Sequence, residues 1–403
     1  MFSRRNSIPL CLDHRSNLFR ANFSFDPAKH PNLDVQLDNA VFGQIHLIEA
    51  DDPHVREVKI NLRIRASLDD ILMAIRPQLN LIPHEEEGHL AKFSLDLSSL
   101  SKTTRYYVRN RKCARVDTEI VYPMQSLSLH RRLELARQEQ RRLDSFTDIT
   151  SGSDEGNGTD GQEDGSEQGD EKREEPEGIP EHSTVDSLLI NANNAHIIVQ
   201  LPTVTIQRRL SLRSEQGIEI ISAASAQRTE LEVQQGTISA RLATLKTVRA
   251  MVVGEGSIAL DIDGNDKRVK DDRLPPAQSL DVNAKTAGGG NIEVRVFTPY
   301  AFQGRFDLRH NGKVELRRST REMALEVTHE SKNRLAGYLA NYGKEPSSLL
   351  PNIALHAVNT GNVSLQLIHK DKEPPLPDAS ISITYNPLAF LLVALMSGLF
   401  ILQ

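Results

Sequence analysis

The stretch Gly256-Ser-Ile-Ala-Leu-Asp-Ile262 decides how this chain is read, because its pattern returns along the sequence. A glycine, one or two small or polar residues and a run of alternating apolar residues recur as Gly236-Thr-Ile-Ser-Ala-Arg-Leu242 and Gly290-Asn-Ile-Glu-Val-Arg-Val296. Further copies are Gly312-Lys-Val-Glu-Leu316 and Gly361-Asn-Val-Ser-Leu-Gln-Leu367, with a slipped copy at Gly217-Ile-Glu-Ile-Ile221. Alternation at period two places Ile258, Leu260 and Ile262 on one face of a strand and Ala259 and Asp261 on the other. The glycine suits a turn that needs positive φ, where a Cβ would clash.

Most copies follow a second short apolar segment: Leu231-Glu-Val233, Met251-Val-Val253, Leu280-Asp-Val282, Phe306-Asp-Leu308 and Ile353-Ala-Leu355. Each unit therefore reads strand, glycine turn, strand. Successive glycines at 217, 236, 256, 290, 312 and 361 lie 19, 20, 34, 22 and 49 residues apart. Values near 20 fit one coil of a stacked β-solenoid, in which neighbouring coils bury each other's apolar edges. The two long gaps read as insertions, Asn265 to Pro276 and Ser331 to Pro351, and the second has room for a weak extra coil. The same local pattern would also serve antiparallel hairpins packed as a sandwich; the near-constant repeat favours the solenoid.

The chain has 403 residues, enough for two or three domains. Aromatic residues make up 5% and tryptophan is absent, so the core rests on Ile, Leu, Val and Ala, which suit layered β architecture. A net charge of -6 gives no general case for nucleic acid as a partner. Cys11 and Cys113 match no CxxC spacing, which argues against a disulfide framework or a zinc site and mildly favours a reducing compartment.

Residues 1–28 hold Arg4, Arg5, Arg15 and Arg20 and read as a disordered or targeting tail, the composition resembling a mitochondrial transit peptide. Residues 29–124 form an N-terminal β-rich block. Within it Val41-Phe-Gly-Gln-Ile-His-Leu47 echoes the glycine pattern, and Val55 to Ile64 alternates with Arg56, Lys59, Arg63 and Arg65 on its wet side or ends. Ser67 to Arg76 predicts a short helix stopped by Pro77. The basic run Arg105 to Arg115, with Tyr106 and Tyr107 inside it, reads as a two-sided strand. Residues 125–145 predict a basic surface helix. Residues 146–183 read as an acidic disordered linker: Ser151 to His182 holds twelve acidic residues against Lys172 and Arg173 and almost nothing apolar. Residues 184–370 carry the repeat.

The run Pro387 to Leu402 has 16 residues and no charge. As a helix it spans about 24 Å, short of a typical hydrocarbon core of about 30 Å unless flanking residues help. Residues 386–403 are therefore read as a transmembrane helix candidate, making the protein single-pass at its C-terminus with the membrane unspecified. A buried helix, a final strand and a lipid-anchor signal are the alternatives.

Chemistry-bearing patterns are weak. Asp261-Ile-Asp-Gly-Asn-Asp266 departs from a calcium loop in the place of Gly264 and lacks the closing glutamate. Gly288-Gly-Gly290 lacks the lysine and hydroxyl of a phosphate loop. Asp281, Arg295 and Asp307 could form the clustered Asp and Arg residues of a solenoid polysaccharide enzyme if they align across coils. No residue is assigned as catalytic, cofactor-binding or metal-binding, and no cofactor is expected.

The Gly-x-Ile/Val strands with Ser, Thr and Asn around their turns resemble the adhesin-like domain family of bacterial and fungal proteins. The resemblance covers Val185 to about Ile368, with the echo near Gly43. It implies a β-solenoid-like scaffold with no assigned catalytic residues. Sequence alone thus points to a non-enzymatic, membrane-anchored β-scaffold that meets protein or glycan partners. A carbohydrate-active solenoid enzyme and an organelle assembly factor are the alternatives.

Overall fold

The computed structural model describes residues 17–52, 54–67, 69–83, 89–123, 185–202, 204–263, 280–298, 302–319, 324–340, 351–369 and 380–383. The first of these form β1 (Asn17–Phe25), β2 (Asn32–Leu37), β3 (Phe42–Glu49), β4 (Val58–Ala66), α1 (Asp69–Ala74) and β5 (Arg76–Ile82). Then come β6 (Leu90–Asp96), α2 (Lys102–Arg111) and β7 (Ala114–Tyr122). The repeat region supplies β8 (Val185–Ala192), β9 (Ala195–Gln200), β10 (Thr205–Ser214), β11 (Gly217–Val233) and β12 (Thr237–Val252). It continues with β13 (Ile258–Asp263), β14 (Asp281–Thr286), β15 (Ile292–Thr298), β16 (Gly304–Arg309) and β17 (Val314–Arg318). The last described strands are β18 (Ala324–Ser331), β19 (Arg334–Ala340), β20 (Asn352–Ala357), β21 (Val363–His369) and β22 (Ser380–Ile383). The fold is mainly β.

Tracing the pairings gives two ladders. Ladder A runs β5-β6-β2-β8-β10-β11-β12-β14-β20-β16-β19-β18, and ladder B runs β1-β4-β7-β3-β9-β11-β12-β13-β15-β21-β17-β22. β11 and β12 belong to both, their N-terminal halves to B and their C-terminal halves to A. A rung is one ladder A strand, a turn and one ladder B strand. From β6 to β16 in ladder A and from β7 to β17 in ladder B, every pairing is parallel. This differs from the hairpin alternative, whose sequential strands would pair antiparallel. Antiparallel pairing is confined to the ends, where β1, β4, β5, β18, β19 and β22 close the ladders.

The repeat glycines earn their places through close approach as much as through turn geometry. Gly256 has φ 154°, and a Cβ there would lie 1.7 Å from the carbonyl oxygen of Gly236. The same test puts a Gly290 Cβ 1.9 Å from the Gly256 oxygen and a Gly361 Cβ 2.2 Å from the Gly290 oxygen. These residues form a column in which each glycine lies against the backbone of the rung before it. A Cβ on Gly236 would meet the Gln216 oxygen at 2.1 Å, so Gln216 occupies the column in its rung and Gly217 stands one residue beyond. That is the structural form of the slipped copy.

Inward side chains stack in register between the ladders. Ile45, Ile197, Ile218, Ile238, Ile258, Ile292, Val363 and Val314 make one column, each at most 2% exposed. Each member touches like-shaped neighbours above and below, which is how a repeat too small to bury its own apolar face obtains a core.

The N-terminal block and the repeat share this core, since β2 and β3 pair with β8 and β9 in parallel. Two rungs are also out of chain order. The rung β2/β3 lies between β6/β7 and β8/β9, and the rung β20/β21 lies between β14/β15 and β16/β17. The 49-residue glycine gap therefore holds a β18–β19 hairpin against β16, with no further glycine rung among the described residues.

Three expectations are corrected. The tail drawn over residues 1–28 is too long, because β1 pairs with β4 over nine residues and turns Phe23 and Phe25 toward the core. The Arg105–Arg115 run is mostly helix. Ser101 accepts a hydrogen bond from the Thr104 amide at 3.1 Å to start α2, and Lys112, at φ 51°, ends it in the left-handed region. Cys113 is fully buried and disulfide-bonded, where the cysteine spacing argued against a disulfide framework; Cys11 lies outside the described residues. Helix α1 is found where a short helix was expected, with Ile71 buried. The expected surface helix at 125–145, the acidic linker at 146–183 and the membrane helix at 386–403 all lie outside the described residues. Among the described residues no helix is long and apolar enough to cross a membrane.

Candidate functional site

Outward residues of ladder A line a shallow hollow of about 660 Å³ that crosses six strands, from β2 to β14. Parallel register sets its contents: Gln36, Asn191, Arg213, Glu232, Met251 and Lys285 stand in one row across the strands. Most of its charge is internally matched. Arg209 donates to Glu230 from Nε at 3.1 Å, Arg228 reaches the same carboxylate at 2.7 Å, and Arg213 grips Glu232 at 2.6 and 2.7 Å. Burial pushes the Glu230 carboxyl up, but hydrogen bonds from Arg209 and Arg228 more than offset it, and the group is held below the usual carboxylate range. Asp34 shows the opposite balance. Burial raises it, and its hydrogen bond from Gln36 at 3.0 Å only partly compensates. Arg249 and Lys285 project into the hollow with no ion-pair partner among the described residues.

The weak sequence candidates do not converge. Arg295 lies on β15 in ladder B and holds Asp261 at 2.6 and 2.9 Å. Asp281 and Asp307 lie in ladder A on β14 and β16, which β20 separates, and their registers differ by two residues: Asp281 pairs with Asn352, Asp307 with Ala354. Asp307 is engaged by Arg309 at 2.9 Å and Arg334 at 2.8 Å. The calcium-like stretch places Asp261 in that ion pair, and residues 264–266 lie outside the described residues. Gly288 and Gly290 serve rung packing, a Cβ on Gly288 coming within 2.4 Å of Gly254. Among the described residues no group of three or more metal-ligating side chains occurs.

Two features escaped the sequence reading. Helix α2 lies along the turns, with Arg105 bound to Asp38 at 2.6 Å and Arg109 bound to Glu215. A second hollow of about 450 Å³ lies on the outer face of ladder B, at β1, β4, β7 and β3. Its Arg20 had been assigned to the tail and its Arg63 to a wet strand face. The alternation of Phe19, Ala21, Phe23 and Phe25 was the available signal for β1.

No protein-family model and no curated protein matches the chain. Two solved structures are similar to it: a candidate cell adhesion protein from Clostridium sporogenes and a candidate adhesin from Bacteroides fragilis. Each has 9% sequence identity and a TM-score of 0.28, covers 87% of this chain, and is itself covered over 100% and 97% of its length respectively.

Proposed function

We propose that the protein is a non-enzymatic interaction scaffold: a β-solenoid whose two ladders are its sides, held at a membrane by residues 386–403. Its partner is an extended protein segment or glycan lying across the strands on the outer face of ladder A. One observation carries this reading. Parallel, in-register pairing repeats side chains at strand spacing of about 4.8 Å along one face, and the hollow there runs across six strands with Arg249 and Lys285 unmatched among the described residues. Two of its three carboxylates, Glu230 and Glu232, are tied to arginines, which supports recognition over proton transfer.

The test is binding of the purified full chain to arrayed glycans and peptides, beside an Arg249→Glu/Lys285→Glu variant. A bound class that the variant loses supports the reading. Equal binding by both removes the hollow from it, and release of new reducing ends from a bound glycan replaces it with the enzyme alternative. The anchor is tested separately by alkaline-carbonate extraction of the full chain and of a chain ending at Tyr385; both in the soluble fraction would remove it.

A further inference from the structure

Arg20 and Arg63 stand directly opposite one another on β1 and β4, both exposed, on the outer face of ladder B. Like charges in that position repel, and neither arginine has an ion-pair partner among the described residues. On its other side Arg63 stands opposite Asp117 of β7, but the acids of that strand are already engaged. Asp117 takes Arg115 Nε at 2.9 and 3.0 Å, and Glu119 accepts from Asn61 at 3.0 Å. The 450 Å³ hollow these residues line also contains Asn22 and His46. The Nε2 of His46 is buried and has no hydrogen-bond partner among the described residues.

The geometry points to a binding site for an acidic sugar residue, a monocarboxylate of the hexuronate class, with its carboxylate bridging Arg20 and Arg63. Arginine is suited to this role because its planar fork matches a carboxylate. An oxyanion between the two guanidinium groups removes their repulsion. The rest of the hollow carries polyol chemistry: Asn22 and Gln44 each donate and accept, and Glu119 accepts. The volume lies in the range of small-molecule sites and is several times that of a bare phosphate. Asp117 and Glu119 in the wall disfavour multiply charged anions, so one carboxylate fits better than a phosphate or a sulfated cluster. This assignment rests on the scaffold reading only in taking a glycan as partner, and needs neither the ladder A hollow nor the membrane anchor.

The experiment is calorimetric titration of the full chain with glucuronate, glucose and inorganic phosphate, beside Arg20→Gln/Arg63→Gln and an Arg305→Gln control on ladder A. Glucuronate binding that weakens at least tenfold in the double variant, persists in the control and falls with added salt is the expected result. Absence of glucuronate binding, or equal binding of glucose, overturns the proposal. Phosphate bound as well as glucuronate overturns the sugar assignment and leaves a free-oxyanion site. Melting of the unliganded double variant separates binding from folding. It melts at or above the wild-type temperature if the two charges repel, and a lower value makes the arginines structural and overturns the site.

Discussion

Arg109 of α2 holds Glu215 through a two-pronged contact, its guanidinium donating to both carboxylate oxygens at 2.9 and 3.0 Å. Glu215 lies in the turn between β10 and β11, three rungs from the β6/β7 rung to which α2 belongs. Arg105, one helical turn earlier, holds Asp38 in the β2–β3 turn. The helix therefore works as a clasp along the stacked turns. Asp38 is only 5% exposed, so Arg105→Ala leaves a poorly solvated carboxylate and costs about 2–3 kcal/mol. Arg109→Ala, acting on a more exposed pair, costs about 1 kcal/mol or less. Chemical denaturation of the two variants gives that order, and equal costs would refute the clasp.

The glycine column predicts unequal costs among residues that look alike in sequence. Gly256→Ala sets a Cβ against the Gly236 carbonyl and forces the rungs apart, at about 4 kcal/mol or more. Gly289→Ala has the same handedness problem at φ 121°, but its nearest neighbour is 3.4 Å away. Its cost is the backbone strain alone, about 1–2 kcal/mol. Melting temperatures of the pair decide this.

The apolar column predicts sensitivity at the centre of the stack. Ile258 is 1% exposed between Ile238 and Ile292. Ile258→Val costs about 1 kcal/mol and Ile258→Ala about 3–4 kcal/mol, because neighbours held by parallel ladders cannot collapse into the space. Equilibrium unfolding of both variants measures it.

Acid should loosen the C-terminal end of ladder A. Burial holds His310 below the ordinary imidazole range, and burial with the nearby Arg309 and Lys285 does the same for His356. The unfolded chain then binds these protons more readily than the folded one, so stability is complete above about pH 6.5 and declines as pH falls below it. His310→Gln/His356→Gln flattens the fall in melting temperature between pH 7 and pH 5. An unchanged slope would place the acid sensitivity elsewhere.

The repeat was legible because one glycine and a period-two apolar run mark each rung, and β13 and β15 begin at the expected isoleucines 258 and 292. Rung order was not legible. Nothing local in Leu33 or Ile353 tells which strand will lie beside it, since each presents the same alternating edge as its neighbours. Helix α2 was misread because Tyr106, Tyr107 and Val108 favour strands individually. Its cap at Ser101 and the burial of Val108 under the turns override that preference. The facing of Arg20 and Arg63 depended on pairing β1 with β4, a relation between residues more than forty positions apart.

The two transposed rungs bear on synthesis at the ribosome. The strand pair β2/β3 emerges early, yet one of its faces stays open until β8/β9 follow, after residues 124–184 have been made. At the far end, β16/β17 cannot join the growing stack until β20/β21 arrive to lie between them and β14/β15. Assembly therefore cannot proceed by adding each unit as it leaves the exit tunnel. The middle from β8 to β15 can wind in chain order, whereas each end waits for later sequence. A nascent chain halted after Arg318 carries an orphan final strand pair, an exposed edge of the kind chaperones hold.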